Sequence, residues 1–211
     1  MNTHVVLRPA RRRLLVAAAA SLAAPAFVRQ AMARERLDPT PAQTEGPFYP
    51  EDVTGETDVD LLSTGQLRYA RGQPGWVHGV VMNTSGQPVS GAVVEIWQCD
   101  HQGRYHHPGD GGRADPAFQG YGRVQVGRDG AYRFRTIRPV PYTGRTPHIH
   151  FKVRLGTQEL LTTQLYVEGD PRNPRDGIWR RLSERERAAV TRPFQPHSEG
   201  WTAQFPIVVR A

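Results

Sequence analysis

Two histidines, His148 and His150, stand two residues apart in PYTGRTPHIHFKV, residues 141–153, a run that otherwise reads as a β-strand. Side chains at i and i+2 of a strand leave the same face, roughly 6–7 Å apart along the chain, so both imidazoles can converge on one ion while Ile149 faces the opposite side. Such a pair is half of a metal site. Alone it is as readily a polar strand face, and the remaining ligands decide between the two.

Asp and Glu are scarce in the flanking strands, and Cys99, the single cysteine, allows neither an intramolecular disulfide nor a cysteine cluster for zinc. It reads as a buried thiol. Tyrosines stand nearby instead: Tyr142 in PVPYTG, six residues before His148, and Tyr105 in DHQGRYHHPGD, just after a strand. Phenolates are hard, anionic oxygen ligands. A trivalent ion such as Fe(III) suits phenolate and imidazole together, and its charge can ionise a tyrosine whose ordinary pKa is about 10. Taken singly, either tyrosine is also a ring packed in a loop with its hydroxyl on the backbone. His101, His106 and His107 cluster near Tyr105 and read as loop residues rather than ligands.

These residues need a scaffold, and the surrounding sequence spells one. From about Trp76 onward, short alternating runs bounded by turn residues follow one another: WVHGVVMN, AVVEIWQCD, GRVQVGRDGAYRFRTI, HIHFKVRLG and LLTTQLYVEGD. This is the pattern of an antiparallel β-sandwich or barrel. VGRDGAYRF predicts a hairpin turning at Asp129-Gly130, and NTSGQPVSGAVVEIW a further strand-turn-strand unit. SERERAAV predicts a short helix capped by Ser183. Ahead of the strands, residues 34–75 are rich in Pro, Gly, Thr and acids and predict an extended arm on the domain of residues 76–211.

Residues 1–33 read as a cleavable export signal: Arg11, Arg12 and Arg13, an Ala/Leu-rich core, and an Ala-x-Ala-type site at Ala31-Met32-Ala33. The paired arginines ahead of Leu14 and Leu15 resemble the twin-arginine (Tat) consensus, so a periplasmic or otherwise exported location is expected. The apolar stretch falls short of the ~20 residues a span needs and contains Pro25, so no membrane anchor is expected after cleavage. The segment carries five arginines and no acid, and the formal +7 less these five leaves +2. Nucleic-acid binding loses its main support with them.

Four dispersed segments, VEIWQCDHQGRY, PVPY, RTPHIHF and TTQLYVEGDP, together with TEGPFYP upstream, resemble the intradiol ring-cleavage dioxygenases, a non-haem Fe(III) family that includes protocatechuate 3,4-dioxygenase. The resemblance covers most of the chain beyond residue 33. It implies a prealbumin-like antiparallel β-sandwich with an extended N-terminal arm and long loops. It further implies Fe(3+) held by Tyr105, Tyr142, His148 and His150 with a solvent hydroxide. A catechol would displace the hydroxide and Tyr142, O2 would enter between the two hydroxyl-bearing carbons, and a muconate-type diacid would leave. The resemblance sets Arg145 over the substrate ring and Gln164 near the pocket; Arg104 is a candidate charge beside Tyr105.

The chain departs from the family in three ways. GRTPHIH replaces WRPAHIH, and only five residues separate Tyr142 from His148, which alters the substrate mouth. In place of the long N-terminal helical region that catechol and hydroxyquinol dioxygenases use for dimerisation stands a Pro/Gly-rich arm, so the chain resembles a single catalytic subunit of the protocatechuate branch, with a homo-oligomer as a candidate assembly. Export is foreign to the cytoplasmic aromatic-degrading relatives. An exported non-catalytic β-sandwich binding module is the alternative reading, and a zinc or copper enzyme on the same histidines a third. A binding module would not need Tyr105, Tyr142, His148 and His150 together.

Overall fold

A computed structural model describes Met1 and residues 36–211; the expected export signal lies, Met1 apart, outside the described residues. The arm runs without helix or named strand to a small antiparallel ladder of β1 (Ser63–Thr64) and β2 (Leu67–Arg68). The sandwich follows.

Its first sheet is built on β3 (Pro74–Asn83), which pairs antiparallel with β6 (Ala131–Ile137) along one edge. Along the other edge β11 (Gly200–Gln204) and β12 (Ile207–Val209) lie end to end in one register, both parallel to β3, and β10 (Gln195–His197) closes the side. The second sheet has the order β5 (Tyr121–Gln125), β4 (Val93–Trp97), β7 (His148–Leu155), β8 (Gln158–Val167) and β9 (Thr191–Arg192). It is antiparallel except for the β8–β9 pair. The expected antiparallel sandwich thus also carries parallel pairs, β3 with β11 and β12 within the first sheet and β8 with β9 at the margin of the second.

One predicted pairing is corrected, and the predicted strand-turn-strand unit forms with its two strands in different sheets. The chain does turn at Asp129-Gly130, where Gly130 has φ +68°, but the flanking strands are not partners: β5 joins β4 and β6 joins β3. The turn is an arch between sheets. Residues 83–93 likewise fold back on β3 only briefly, through a Met82–Pro88 bridge, before β4 enters the other sheet. Alternation cannot separate hairpin from arch, because in both cases each strand turns one face to the same core. Gly130 is required on steric grounds as well, since a Cβ there would stand 2.5 Å from the Val81 carbonyl oxygen.

Val77, Val81, Phe134, Phe205 and Ile207 of the first sheet meet Val94, Ile96, Ile149, Phe151 and Val153 of the second in one buried core. The predicted helix forms as α1 (Glu184–Val190): the Ser183 hydroxyl accepts from the Glu186 amide and the Glu186 carboxylate accepts from the Ser183 amide. Among the described residues no helix is long and apolar enough to cross a membrane.

Candidate metal centre

Because Ile149, Phe151 and Val153 face the core, the alternation of β7 sends His148, His150 and Lys152 to the opposite face of the second sheet. Across that face the ladder sets Trp97 and Gln164 beside His150, and Tyr166 beside His148. Such a face would ordinarily meet water. Here the arm covers it: the Gln43 amide donates to the Thr162 carbonyl at 2.8 Å, Glu45 pairs with Lys152, and the Tyr49 hydroxyl donates to Glu95 at 2.7 Å. Gly46, at φ +76°, passes so close that a Cβ would lie 3.4 Å from the His150 ring.

His148 and His150 are both buried, and their Nε2 atoms face each other at 3.1 Å. The Thr146 carbonyl lies 2.7 Å from His148 Nδ1 and can only accept, so Nδ1 carries the proton and Nε2 keeps its lone pair. The His150 ring is held flat against Trp97, with centroids 4.7 Å apart and 9° between planes. Burial, with the Arg145 charge adding to it, pushes the His148 pKa down to about 3; His150 is lowered well below its usual value for the same reasons, with His148 contributing. Both rings are therefore neutral donors.

Two tyrosines close over the histidines. Tyr105 reaches in from the loop after β4, its ring centroid 5.3 Å from Tyr142 and 6.1 Å from His150, and Phe48 of the arm stacks on its outer side at 4.8 Å. Tyr142 lies 5.4 Å from His148, centroid to centroid. The environments differ. Tyr105 is buried, its hydroxyl has no hydrogen-bond partner among the described residues, and burial holds its pKa well above 10. Tyr142 is half-buried, and Arg145 Nη1 lies 3.4 Å from its hydroxyl, so the rise that burial causes is partly offset by the guanidinium.

Arg145 is itself fixed at three points: Nε donates to Asp176 at 2.8 Å, Nη2 to Gln164 Oε1 at 2.5 Å, and Nη1 toward Tyr142. Gln164 in turn donates to the Thr44 carbonyl at 3.0 Å, which settles its amide orientation. All six residues singled out in the sequence, Tyr105, Tyr142, Arg145, His148, His150 and Gln164, therefore come together. The Arg104 guanidinium makes no hydrogen bond or ion pair among the described residues. His101, His106 and His107 are engaged with Tyr69, the Phe118 carbonyl and the Gly109 amide, away from the centre.

The donor set fits a metal ion. The two Nε2 atoms, 3.1 Å apart, are close enough to be shared by one ion. The unsatisfied Tyr105 hydroxyl lacks the partner that a buried polar atom requires. Among the described residues no group of three or more His, Cys, Asp or Glu could hold a metal, so an ion here draws on phenol oxygens as well as imidazoles. That favours a hard ferric ion over zinc.

Beside Tyr142 and Arg145 opens a cavity of about 270 Å³, lined also by Thr146, Arg172, Arg175 and Asp176. A larger hollow of about 360 Å³ lies across Tyr105, between the arm and Phe118–Tyr121; neither His148 nor His150 lines either space, and it is the smaller one that Tyr142 and Arg145 share. Sequence reasoning missed Asp176, Trp97 and the arm residues Gly46 and Phe48. Asp176 stands five residues beyond the quoted TTQLYVEGDP and is followed by Gly177, a turn signal that marks a backbone cap but not its arginine partner.

Comparison with known proteins supplies the family. Residues 44–208 match a family model described as Dioxygenase. The chain is 33% identical over 183 residues to the protocatechuate 3,4-dioxygenase beta chain of Burkholderia cepacia, covering 78% of this chain and 76% of that one. It is 34% identical over 153 residues to hydroxyquinol 1,2-dioxygenase of Corynebacterium glutamicum, covering 63% of this chain and 47% of the relative. The chain thus spans about half the length of the first such relatives. Among solved structures, the dioxygenase domain of a dioxygenase carbohydrate-binding protein fusion from Streptomyces sp. SirexAA-E superposes with a TM-score of 0.65 at 32% identity, over 81% of this chain and 97% of that one. The chain belongs to the intradiol dioxygenase family.

Proposed function

We propose that this protein is an Fe(III)-dependent intradiol dioxygenase that cleaves a catechol-type ring between its two hydroxyl-bearing carbons. Both atoms of O2 enter the product, the carbon–carbon bond between the hydroxyl-bearing carbons breaks, and two carboxyl groups form. The observation that carries the reading is the convergence of two neutral imidazole nitrogens 3.1 Å apart with an unsatisfied buried phenol and a second, half-buried one. Tyr105, Tyr142, His148 and His150 are the residues that would hold iron.

Ferric iron, when bound, supplies the Lewis acidity that ionises phenols and makes a chelated catechol reactive toward O2. The protein supplies the rest. His148 and His150 give neutral lone pairs in orientations fixed by Thr146 and Trp97. Tyr105, walled in by Phe48, stays in place. Tyr142, lining the cavity and beside a permanent cation, would be the group placed to accept a substrate proton at its ionised oxygen. No separate base is then needed for that proton. Arg145, braced by Asp176 and Gln164, keeps its charge near the ring, where anionic character develops. The arm, through Gly46 and Phe48, keeps water off the histidine side.

The reading also includes export through the Tat pathway, supported by the twin arginines and the Ala31-Met32-Ala33 site. The functional test is oxygen uptake by iron-loaded protein with catechol, with mass analysis of the product. One O2 consumed per ring and a product heavier by both oxygen atoms are expected. Iron-loaded protein that consumes no oxygen with any catechol would leave the binding-module reading standing.

A further inference from the structure

Beyond the cluster that handles the ring, the cavity mouth carries two cations that nothing in the chemistry above uses. Arg172 and Arg175 lie at either end of a 3₁₀ turn, Asn173–Arg175, with Arg172 as its N-cap. In a 3₁₀ helix residues i and i+3 eclipse, so the two side chains rise on one face. Both line the cavity together with Tyr142 and Arg145. The charged lining is three arginines against Asp176 alone, and that carboxylate is committed to Arg145.

The turn is bolted to the metal-side loop. The Thr146 hydroxyl donates to Asn173 Oδ1 at 2.6 Å, Asn173 Nδ2 donates to the Val167 carbonyl at 2.9 Å, and the Asp176 amide donates back to the Arg172 carbonyl at 3.1 Å. The backbones of Arg172 and Arg175 are thus held relative to Arg145 and Tyr142, while both side chains remain exposed. Arg175 makes no ion pair among the described residues. Among the same residues Arg172 pairs with Asp170 alone, at a loose 3.6 Å. Two outward cations on a fixed turn at the entrance raise the local concentration of anions and offer planar donors to a carboxylate.

We propose that Arg172 and Arg175 determine substrate specificity by reading an anionic substituent on the ring, so that the protein selects catechols bearing a carboxylate or similar group on the edge away from the two hydroxyls. The inference rests on the ring-cleavage reading for what happens at the hydroxyl end, and only the far end of the substrate is new. Tyr142 and Arg145 belong both to the histidine–tyrosine cluster and to the cavity wall, so a ring held beside Tyr142 shares that cavity with the two guanidiniums. A neutral catechol would be accepted and would gain nothing from them.

The test compares catechol, 4-methylcatechol and 3,4-dihydroxybenzoate on the iron-loaded wild-type protein and on the Arg172→Gln/Arg175→Gln double variant. Both kcat/KM in air and Kd from anaerobic titration would be measured, at low and high salt. The expected result is a wild-type preference for the carboxylated ring that falls roughly tenfold in the double variant, chiefly through KM and Kd, with the neutral catechols changed less than about twofold. Added salt should erode the wild-type preference and leave that of the variant flat. A wild-type preference for neutral rings, or a ratio of carboxylated to neutral binding that the double substitution leaves unchanged, overturns the inference. If wild type turned over none of the three rings, the ring-cleavage reading would fail, and the anaerobic Kd ratio would still decide whether the arginines read the anion.

Discussion

Arg145 and Asp176 form a nearly buried ion pair, Nε to Oδ2 at 2.8 Å, in which the aspartate side chain has no solvent exposure at all. The two come from separate loops, thirty-one positions apart in the chain, and the pair ties the loop carrying Tyr142 to the turn carrying Arg172 and Arg175. Asp176 also accepts from the amides of Thr146, Ile178 and Trp179, so its four bonds organise one whole rim of the cavity.

Removing that hub leaves a charge without its partner. Asp176→Ala is expected to destabilise the protein by about 3–5 kcal/mol, the cost typical of breaking a buried pair from one side. Asp176→Asn keeps the shape and should cost less, while still lowering kcat by loosening Arg145. Urea denaturation and steady-state kinetics on the two variants check both statements, and equal stability of wild type and Asp176→Ala would refute the first.

The same aspartate gives a pH dependence whose sign is fixed. Burial raises its pKa, but the Trp179 and Thr146 amides and Arg145 outweigh burial and hold it below the usual carboxylate value. A depressed folded-state pKa means that its contribution is complete above the unfolded value of about 3.9 and disappears as pH falls through the folded one. Between pH 5 and pH 2, Asp176→Asn should therefore lose stability less steeply than wild type. Identical acid limbs would contradict this.

Gly46 tests the arm as part of the site. Any side chain there meets φ +76° and lies 3.4 Å from the His150 ring. Gly46→Ala should cost about 1–2 kcal/mol from the left-handed backbone alone and should also weaken iron retention, measured by chelator challenge. Gly144→Ala serves as a control: it has the same φ of +76° but nothing within 4 Å of the added methyl, so it should show the backbone cost without the loss of iron.

Lys152 tests how the arm is held. Its ammonium is buried between Glu45 of the arm and Glu159, and lies 3.7 Å from the centroid of the Tyr49 ring. Lys152→Met removes the ion pair while keeping most of the side-chain volume, so the sheet should stay folded as the arm loosens. Faster proteolysis confined to residues 40–55, with little change in the unfolding midpoint of the sandwich, is the expected pattern. Unchanged arm cleavage would show that the backbone bonds of Gln43 and Thr40 suffice.

The chemistry-bearing residues were legible in the sequence because strand periodicity is local: it sets His148 and His150 on one face without reference to anything else. Tyr105 and Tyr142 were legible as candidate phenolate ligands, but their place in one set, like the roles of Arg145 and Gln164, was reached only through resemblance, since the loops and strands that carry them meet only in the folded sheet. The short helix was legible because its cap, Ser183 with Glu186, lies within one turn. The Asp129-Gly130 hairpin was misread because a turn signal fixes a change of direction and not the partner of the strand that follows. Asp176 and Trp97 were missed for a related reason. Their roles depend on contacts to Arg145 and His150 that are dozens of positions away in the chain and are made only once the sheet is assembled.

The most direct test of the central claim is the visible spectrum of iron-loaded protein, wild type and Tyr105→Phe, before and after anaerobic addition of a catechol. A ferric tyrosinate centre predicts a red-brown charge-transfer band that shifts when the catechol binds and weakens in Tyr105→Phe. A wild-type protein that takes up no iron, or takes it up without colour, would contradict the claim that Tyr105, Tyr142, His148 and His150 hold Fe(III).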